Sequence, residues 1–368
     1  MRILYFSRDY TTHDHRFLSA LAQTEHKVFY LRLEKRGHTL EDRPLPPEIE
    51  QVNWKGGQKP AKLRHGLALL ADLTRVIQRV QPDLIHAGPV QRSAFLVALS
   101  GFKPLVSMSW GYDLIHDARR SLLWRWATRY TLQRSAALVG DSEVIRQLAI
   151  QYGMQPEHII TFPWGVELER YHLRTFERSN VETFTLLSTR GWEPIYGVEV
   201  IARAFVRAAR QLKENHGPQL QLVMLGNGSQ ASLLRRIFLE GGVQEQVLMP
   251  GQIGQAELPS FYQMADLYLS ASHSDGASIS LLEALASGLP ALVSDIPGNR
   301  EWVTPGETGW WFPDGDVDAL TQAILDAVAR HEQLPEMGRR ARWLAELRAD
   351  WKKNFLELEK AYRVAHGE

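Results

Sequence analysis

Two carboxylates and one arginine are the first residues whose types and spacing suggest chemistry. Asp275 and Glu283 lie in H-S-D-G-A-S-I-S-L-L-E-A-L-A-S-G (273–288), which runs on into L-P-A-L-V-S-D. The segment reads as strand, tight loop, helix and next strand. Leu267-Tyr268-Leu269-Ser270 is a short apolar run and Asp275-Gly276 a turn signal; Leu281, Leu282, Leu285 and Ala286 recur at helical spacing until Gly288-Leu289-Pro290 ends the helix. At about 3.6 residues per turn, Glu283 falls on the side of Ile279 and Ser280, away from the leucines. A helix start preceded by Gly276, Ala277 and Ser278 can present backbone N–H groups to an anion. Asp275 can then hold a group just outside that anion, and Glu283 one along its flank. The plainer alternative is an acidic cap and a solvated surface glutamate.

Other candidates follow the same logic. Arg190, in S-T-R-G-W-E-P-I-Y-G (188–197), can fork onto phosphate oxygens. Gly226, Asn227 and Gly228 precede a helix and let backbone approach a ligand closely, and P-G-Q-I-G at 250–254 offers backbone around Ile253 to a flat base edge. In the first half stand His13, His86 and Asp113, the last in a W-G-Y-D turn at 110–113, with His15 and His116 in the same loops; each histidine also reads as a structural or exposed side chain. Residues 119–134 hold five arginines, two tryptophans and no acid. That composition suits contact with anionic lipid headgroups, and equally a sheet-covering helix with Leu122, Trp126 and Tyr130 as core.

These residues need a scaffold, and strand and helix signals alternate almost from end to end. Strands are expected at 2–7, 27–33, 82–88, 104–110, 136–141 and 158–163, with a short one at 51–54. Helices are expected at 14–23, 62–80, 90–100, 119–134 and 142–152. A second series has strands at 184–189, 220–225, 247–250, 267–271, 291–295 and 308–312. Its helices fall at 197–215, 229–240, 255–264, 316–331 and 335–348, and a last helix at 350–365 folds back onto the first domain. Residues 168–182 are charged and aperiodic and read as the linker. The expectation is an α/β protein of two doubly wound, Rossmann-like domains, 1–168 and 183–349, the first joined by 350–368. Ligands in such sheets bind beyond the carboxyl ends of the strands, so two halves facing each other would share a cleft.

Composition agrees. A chain of 368 residues exceeds what one core serves, and 44% hydrophobic with 23% charged residues describes an ordinary globular protein. No apolar run approaches the ~20 residues of a membrane span, and M-R-I-L-Y-F-S reads as a strand, not a signal peptide. A cytoplasmic location is expected, with peripheral contact at the inner face of the membrane through 119–134. The absence of cysteine removes disulfides and thiolate chemistry. Net charge is zero but uneven. Residues 1–170 carry 23 Lys and Arg against 17 Asp and Glu, and the remainder 19 against 25, which points to an anionic surface or substrate near the first half.

Taken together, these motifs resemble the retaining glycosyltransferases of the GT-B fold, family 4. Residues 275–290 correspond to the family's E-x7-E motif with E-A-x-A-x-G-x-P, and V-S-D-I-P-G-N-R-E (293–301) to T-D-x-G-G-x-x-E. Arg190 matches the arginine of G-R-x-x-x-x-K-G. G-N-G at 226–228, G-x-I at 251–253, H-A at 86–87, V-G-D-S at 139–142 and W-G-V at 164–166 also match. The resemblance implies a nucleotide-diphospho sugar donor, a UDP-sugar rather than a GDP-sugar, and a saccharide or lipid-linked saccharide acceptor in surface polysaccharide or glycolipid assembly. Nucleic acid is not an expected partner. It implies that Glu283 binds the ribose, Asp275 contacts the sugar near its anomeric carbon, Ser278–Ser280 and Arg190 neutralise the diphosphate, and Ile253 backbone reads the base. Neither metal nor cofactor is then required. A sugar-nucleotide epimerase of the same fold and a non-catalytic nucleotide or sugar binder are the rival readings. The chain departs from the pattern at four places: Asp275 for the first Glu, Tyr196 for the Lys after Arg190, D-Y-T-T-H-D-H (9–15) for a glycine pair, and Trp110 for the His of H-G-x-D.

Overall fold

Apolar runs bounded by Gly, Pro and charge become parallel strands covered on both faces, as expected where crossover helices pack on a sheet. The structure, a computed structural model, describes residues 1–35, 41, 43–61, 65–174 and 182–367. The chain divides into two units, Met1–Phe162 with Phe355–Glu368, and Pro163–Asn354. Among the described residues the first holds β1 (Arg2–Ser7), β2 (Lys27–Arg32), β3 (Glu50–Gln51), β4 (Leu84–Ala87), β5 (Leu105–Met108), β6 (Ala137–Gly140) and β7 (Ile159–Thr161), in the order β3-β2-β1-β4-β5-β6-β7. The second holds β8 (Thr183–Ser188), β9 (Gln219–Leu225), β10 (Val247–Gly251), β11 (Leu267–Ser270), β12 (Ala291–Ser294) and β13 (Gly309–Phe312), in the order β10-β9-β8-β11-β12-β13. Each sheet therefore reverses its winding beside its first strand, between β1 and β4 and between β8 and β11. These are the switch points where loops on opposite sides of a crevice diverge.

In the second unit the helices Val198–Glu214 and Val317–Ala329 pack on one sheet face, over Phe184, Leu186, Leu222 and Leu269. Ile279–Ala286 and Leu334–Arg348 cover the other, over Leu187, Val223, Tyr268 and Val293. Ile279–Ala286 is buried on nearly every side. That is why its leucine pattern reads as a broad apolar face, and why a charged residue within it needs partners.

Several expected elements come out differently. The strand expected at 51–54 is only Glu50–Gln51. Of the helix expected at 62–80, residues 62–64 lie outside the described residues and the remainder is Gly66–Val80. The stretch read as one helix over 90–100 opens with a π turn at Val90–Ala94. That read over 119–134 splits into a 3-10 turn, Asp117–Arg119, and the helix Leu122–Leu132, because Ser121 is extended and its hydroxyl accepts from the Trp124 N–H. The last helix breaks at Phe355. Trp351–Asn354 stays with the second unit, where the Asn354 amide donates to the Pro163 and Arg348 carbonyls, whereas Leu356–His366 buries Leu358, Ala361 and Tyr362 in the first.

The segment read as a linker is packed at its start. Tyr171 is buried, and Arg174 pairs with Asp266 at 2.6 Å and donates to the Ala265 carbonyl. Its charge serves a buried ion pair, which has no hydrophobic period to betray it. Residues 175–181 of that segment lie outside the described residues.

Candidate functional site

In the second unit, Arg190 leaves the end of β8 and the loop 271–278 leaves the end of β11, so both flank the switch point. They meet there. One Arg190 Nη donates to Asp275 Oδ2 at 2.5 Å; the other donates to Ser278 Oγ at 2.6 Å and Ser280 Oγ at 3.1 Å. Tyr268, from β11, donates to Ser280 Oγ at 2.8 Å. The guanidinium lies over the Tyr196 ring, 4.2 Å from its centroid. Before Gly197, where the family pattern has a lysine before its glycine, the chain thus places an aromatic face under the arginine, a cation–π contact that also fixes the guanidinium plane.

Burial opposes the charge on Arg190, but Asp275 and the neighbouring tyrosines hold it above the usual arginine range. Burial raises the Asp275 carboxyl, against the pull of the Arg190 guanidinium and the Gly276 N–H. Ser278 is the N-cap of the helix Ile279–Ala286, with no side-chain bond to the first-turn N–H groups. A guanidinium, two hydroxyls and a helix start therefore converge on one spot, an arrangement suited to an anion. Gly276 and Ala277 are buried in the loop just before it.

Glu283 is not a solvated surface residue. It is 4% exposed, its Oε1 accepts from the Tyr171 hydroxyl at 2.7 Å, and its Oε2 accepts from Tyr262 at 2.8 Å. Tyr262 also lies 3.2 Å from the Ser280 carbonyl and 3.1 Å from the Thr189 hydroxyl, linking Glu283 to the ends of β8 and of the anion loop. Neither tyrosine is among the residues picked out from sequence. Tyr262, four residues after Leu258 on an apolar helix, carried a signal in that a buried phenol needs a partner. Tyr171, in an aperiodic charged stretch, carried none.

The glycines have a specific steric reason. A Cβ at Gly226 would sit 2.8 Å from the Arg190 carbonyl oxygen, and one at Gly228 2.3 Å from that of Trp192. Trp192 N–H donates to the Asn227 carbonyl at 2.9 Å. The backbone closely approached here is that of the neighbouring loop, so Gly226–Gly228 clasps the arginine loop from behind. Likewise a Cβ at Gly298 would fall 2.5 Å from the carbonyl oxygens of both Asp275 and Gly276. Ile253, two residues past β10, packs its side chain on the core beneath the sheet.

In the first unit, His86 and His13 stand on either side of that sheet's switch point, His86 in β4 and His13 in the helix after β1. His86 is buried, its Nδ1 shares a hydrogen bond with the Tyr362 hydroxyl at 2.8 Å, and Tyr5 packs edge-on at 4.9 Å. Burial lowers its pKa to about 3. Asp113 is likewise buried, accepting from Val90 N–H at 2.9 Å, the Ser109 hydroxyl at 2.7 Å and Trp110 N–H at 3.0 Å, and burial raises it to about 6. It ties the 109–113 turn to the π turn. His13 is half-buried, its ring 5.3 Å from that of Trp110. Where the family has a glycine pair, Thr11 and Asp14 form a capping box: Thr11 N–H donates to Asp14 Oδ2 at 2.9 Å, and Asp14 N–H to Thr11 Oγ1 at 3.3 Å. Tyr5 adds a bond to Asp14 at 3.1 Å, and burial raises that carboxyl to about 7.

Residues 11–170 match the family model described as Glycosyltransferase Family 4, and residues 197–343 that described as Glycosyl transferases group 1. The chain is 27% identical over 305 residues to the GDP-mannose-dependent alpha-(1-6)-phosphatidylinositol monomannoside mannosyltransferase of Mycolicibacterium smegmatis, a match covering 79% of this chain and 70% of that one. It is 27% identical over 190 residues, 51% of its length, to the UDP-N-acetylglucosamine--peptide N-acetylglucosaminyltransferase GtfA subunit of Streptococcus pneumoniae. The chain spans only 35% of that subunit's length and 38% of its Streptococcus gordonii counterpart's. Among solved structures, sucrose-phosphate synthase of Thermosynechococcus elongatus has a TM-score of 0.80 at 17% identity, covering 99% of this chain and 98% of that one. Anabaena Alr3699/HepE in complex with UDP-glucose has a TM-score of 0.78 at 17% identity, covering 99% of each. At such identities the likeness to solved structures is one of fold.

Proposed function

The chain belongs to the GT-B glycosyltransferases of family 4, and on that premise we propose that it moves a sugar, with retention at the anomeric carbon, from a nucleotide-diphospho sugar to a saccharide or lipid-linked saccharide acceptor. The observation that carries this reading is the convergence of Arg190, Ser278, Ser280 and the start of Ile279–Ala286 at the switch point of the second sheet, with Asp275 against them. Charge builds on the leaving diphosphate in the transition state. A fixed guanidinium and aligned N–H groups stabilise it without reorganising, an effect that elsewhere contributes about 3–4 kcal/mol per donor. Because the protein supplies that charge, no metal is needed. In this reading Asp275 contacts the sugar near its anomeric carbon and Glu283 binds the ribose.

In the first unit His13 is the side chain offered to substrate, with Asp113 and the buried His86 supporting the loops around it. The donor is a UDP-sugar, a reading supported by the solved UDP-glucose complex of a protein of the same fold. Assembly of a glycolipid or surface polysaccharide is supported by the mannosyltransferase relative, whose name gives a lipid-linked mannoside acceptor.

The test is incubation with UDP- and GDP-sugars, with and without acceptor, in the presence of EDTA. Free nucleoside diphosphate formed with acceptor, abolished in Arg190→Ala and in Glu283→Ala, is the expected result. An exchanged epimer without acceptor would make the protein an epimerase. Binding without turnover would leave it a sugar-nucleotide binder, and activity unchanged in both variants would remove the site from the cluster.

A further inference from the structure

The arginine-rich stretch after Ala118 plays no part in the donor site. Its buried face is Ala127, Thr128, Thr131 and Leu132; of the three residues that a core reading of the stretch names, Tyr130 is half-buried against a core cluster, whereas Leu122 and Trp126 are exposed. The small residues let Leu122–Leu132 approach the π turn closely, and Gln91 Nε2 donates to Thr128 Oγ1 at 2.8 Å across the contact. The large apolar side chains are consequently turned outward. Leu122 is 80% exposed, Leu123 61% and Trp126 50%.

At about 100° per residue these three fall on one arc of the helix, with Arg125 and Arg129 along one border. Arg119 and Arg120, also exposed, stand at its amino end. Among the described residues none of these four arginines pairs with a carboxylate, and no acid lies between Ala118 and Arg134. Trp126 is braced by Phe95 at 5.7 Å and by Tyr130 at 5.2 Å, so the apolar arc is a fixed surface.

We propose that this face docks on an anionic lipid bilayer. Leu122, Leu123 and Trp126 enter the headgroup boundary, and Arg119, Arg120, Arg125 and Arg129 contact lipid phosphates. Three protruding apolar side chains set among arginines that no carboxylate neutralises match a surface that offers hydrocarbon beneath a layer of negative charge. A protein partner would have to supply both an apolar socket and a ring of carboxylates. No described helix is long and apolar enough to cross a membrane, so the contact is peripheral.

The experiment is co-sedimentation of the full chain with vesicles of phosphatidylcholine alone and of phosphatidylcholine mixed with phosphatidylglycerol. Binding to the mixed vesicles only, falling as salt rises, is expected. Leu122→Ser/Leu123→Ser/Trp126→Ser should weaken it about tenfold or more, and Arg119→Ser/Arg120→Ser/Arg125→Ser should do so while flattening its salt dependence. Both variants should keep the wild-type melting temperature and wild-type turnover of donor with a water-soluble acceptor, which separates this proposal from the one above. Equal binding to neutral vesicles, or unchanged binding by either variant, would overturn it. So would a wild-type dimer on gel filtration that the apolar variant dissolves, because the face would then be covered by a second copy.

Discussion

Glu283 is the residue whose environment departs furthest from the plain reading of its surroundings. A carboxylate on a buried helix survives because both its oxygens are bonded by phenols, each such bond to a charged group contributing on the order of 1.5–3 kcal/mol. Removing one hydroxyl should loosen the carboxylate without emptying the site. Tyr171→Phe and Tyr262→Phe are each expected to raise the donor KM about tenfold or more with a smaller change in kcat; a KM unchanged in both would show that the phenols only fill space. His86 gives a second prediction. It titrates near 3 when folded against 6.5 when free, so between those values the unfolded chain binds the extra proton. Stability therefore falls as pH drops through that window, by up to about 1.4 kcal/mol per pH unit. Asp14 and Asp113, raised to about 7 and about 6, act with opposite sign, their contribution being lost as pH rises from about 4 through those values. Denaturant unfolding of His86→Asn should show a shallower acid decline than wild type, and parallel curves would contradict the assignment.

At the scale of elements, the loops at the ends of β8, β9, β11 and β12 are held against each other by glycines at backbone contact. Gly298→Ala would put a methyl into the carbonyls of Asp275 and Gly276, so the anion loop must move. A loss of about 1–3 kcal/mol in stability and a larger loss in donor affinity are expected, the first read by thermal melting and the second by calorimetry with UDP. Here the limits of sequence reading are visible. Alternation of apolar runs with amphipathic helices was enough to read out two doubly wound sheets, and the Arg190 and Asp275 loops were legible because both follow strands. The partners of Glu283 were not, because one lies in a stretch whose only pattern is charge. Nor was the orientation of Leu122–Leu132. Its large apolar residues suited a core and a lipid surface equally, and close packing on a tight turn buries Ala127, Thr128, Thr131 and Leu132. Glycines read as room for a ligand also make room for the adjacent loop.

At the scale of the molecule, the first unit is completed only by the end of the chain. Leu356–His366 supplies Tyr362 to His86, and Glu359 to His26 at 3.0 Å. Truncation after Asn354 should therefore destabilise the first unit and leave the second intact. A fragment spanning 163–354 is expected to melt cooperatively and to gain several degrees with UDP if the donor reading holds; a fragment that does not fold would contradict its autonomy. The second unit is closed on itself at its two ends. Val166 pairs with Asp350, its N–H bonded to the Ala349 carbonyl at 2.7 Å and its carbonyl to Trp351 N–H at 3.1 Å. Gly165, at φ +71°, permits the approach, since a Cβ there would lie 2.6 Å from the Ala349 oxygen. Because the ends are clipped together, the host chain meets this insert as a loop closed at its base, whatever lies beyond the clip. Lengthening, shortening or replacing what lies between Val166 and Asp350 then adds little closure entropy to the host. The clip thus makes the second unit a closed module, whose internal changes reach the host half through two neighbouring points of the chain.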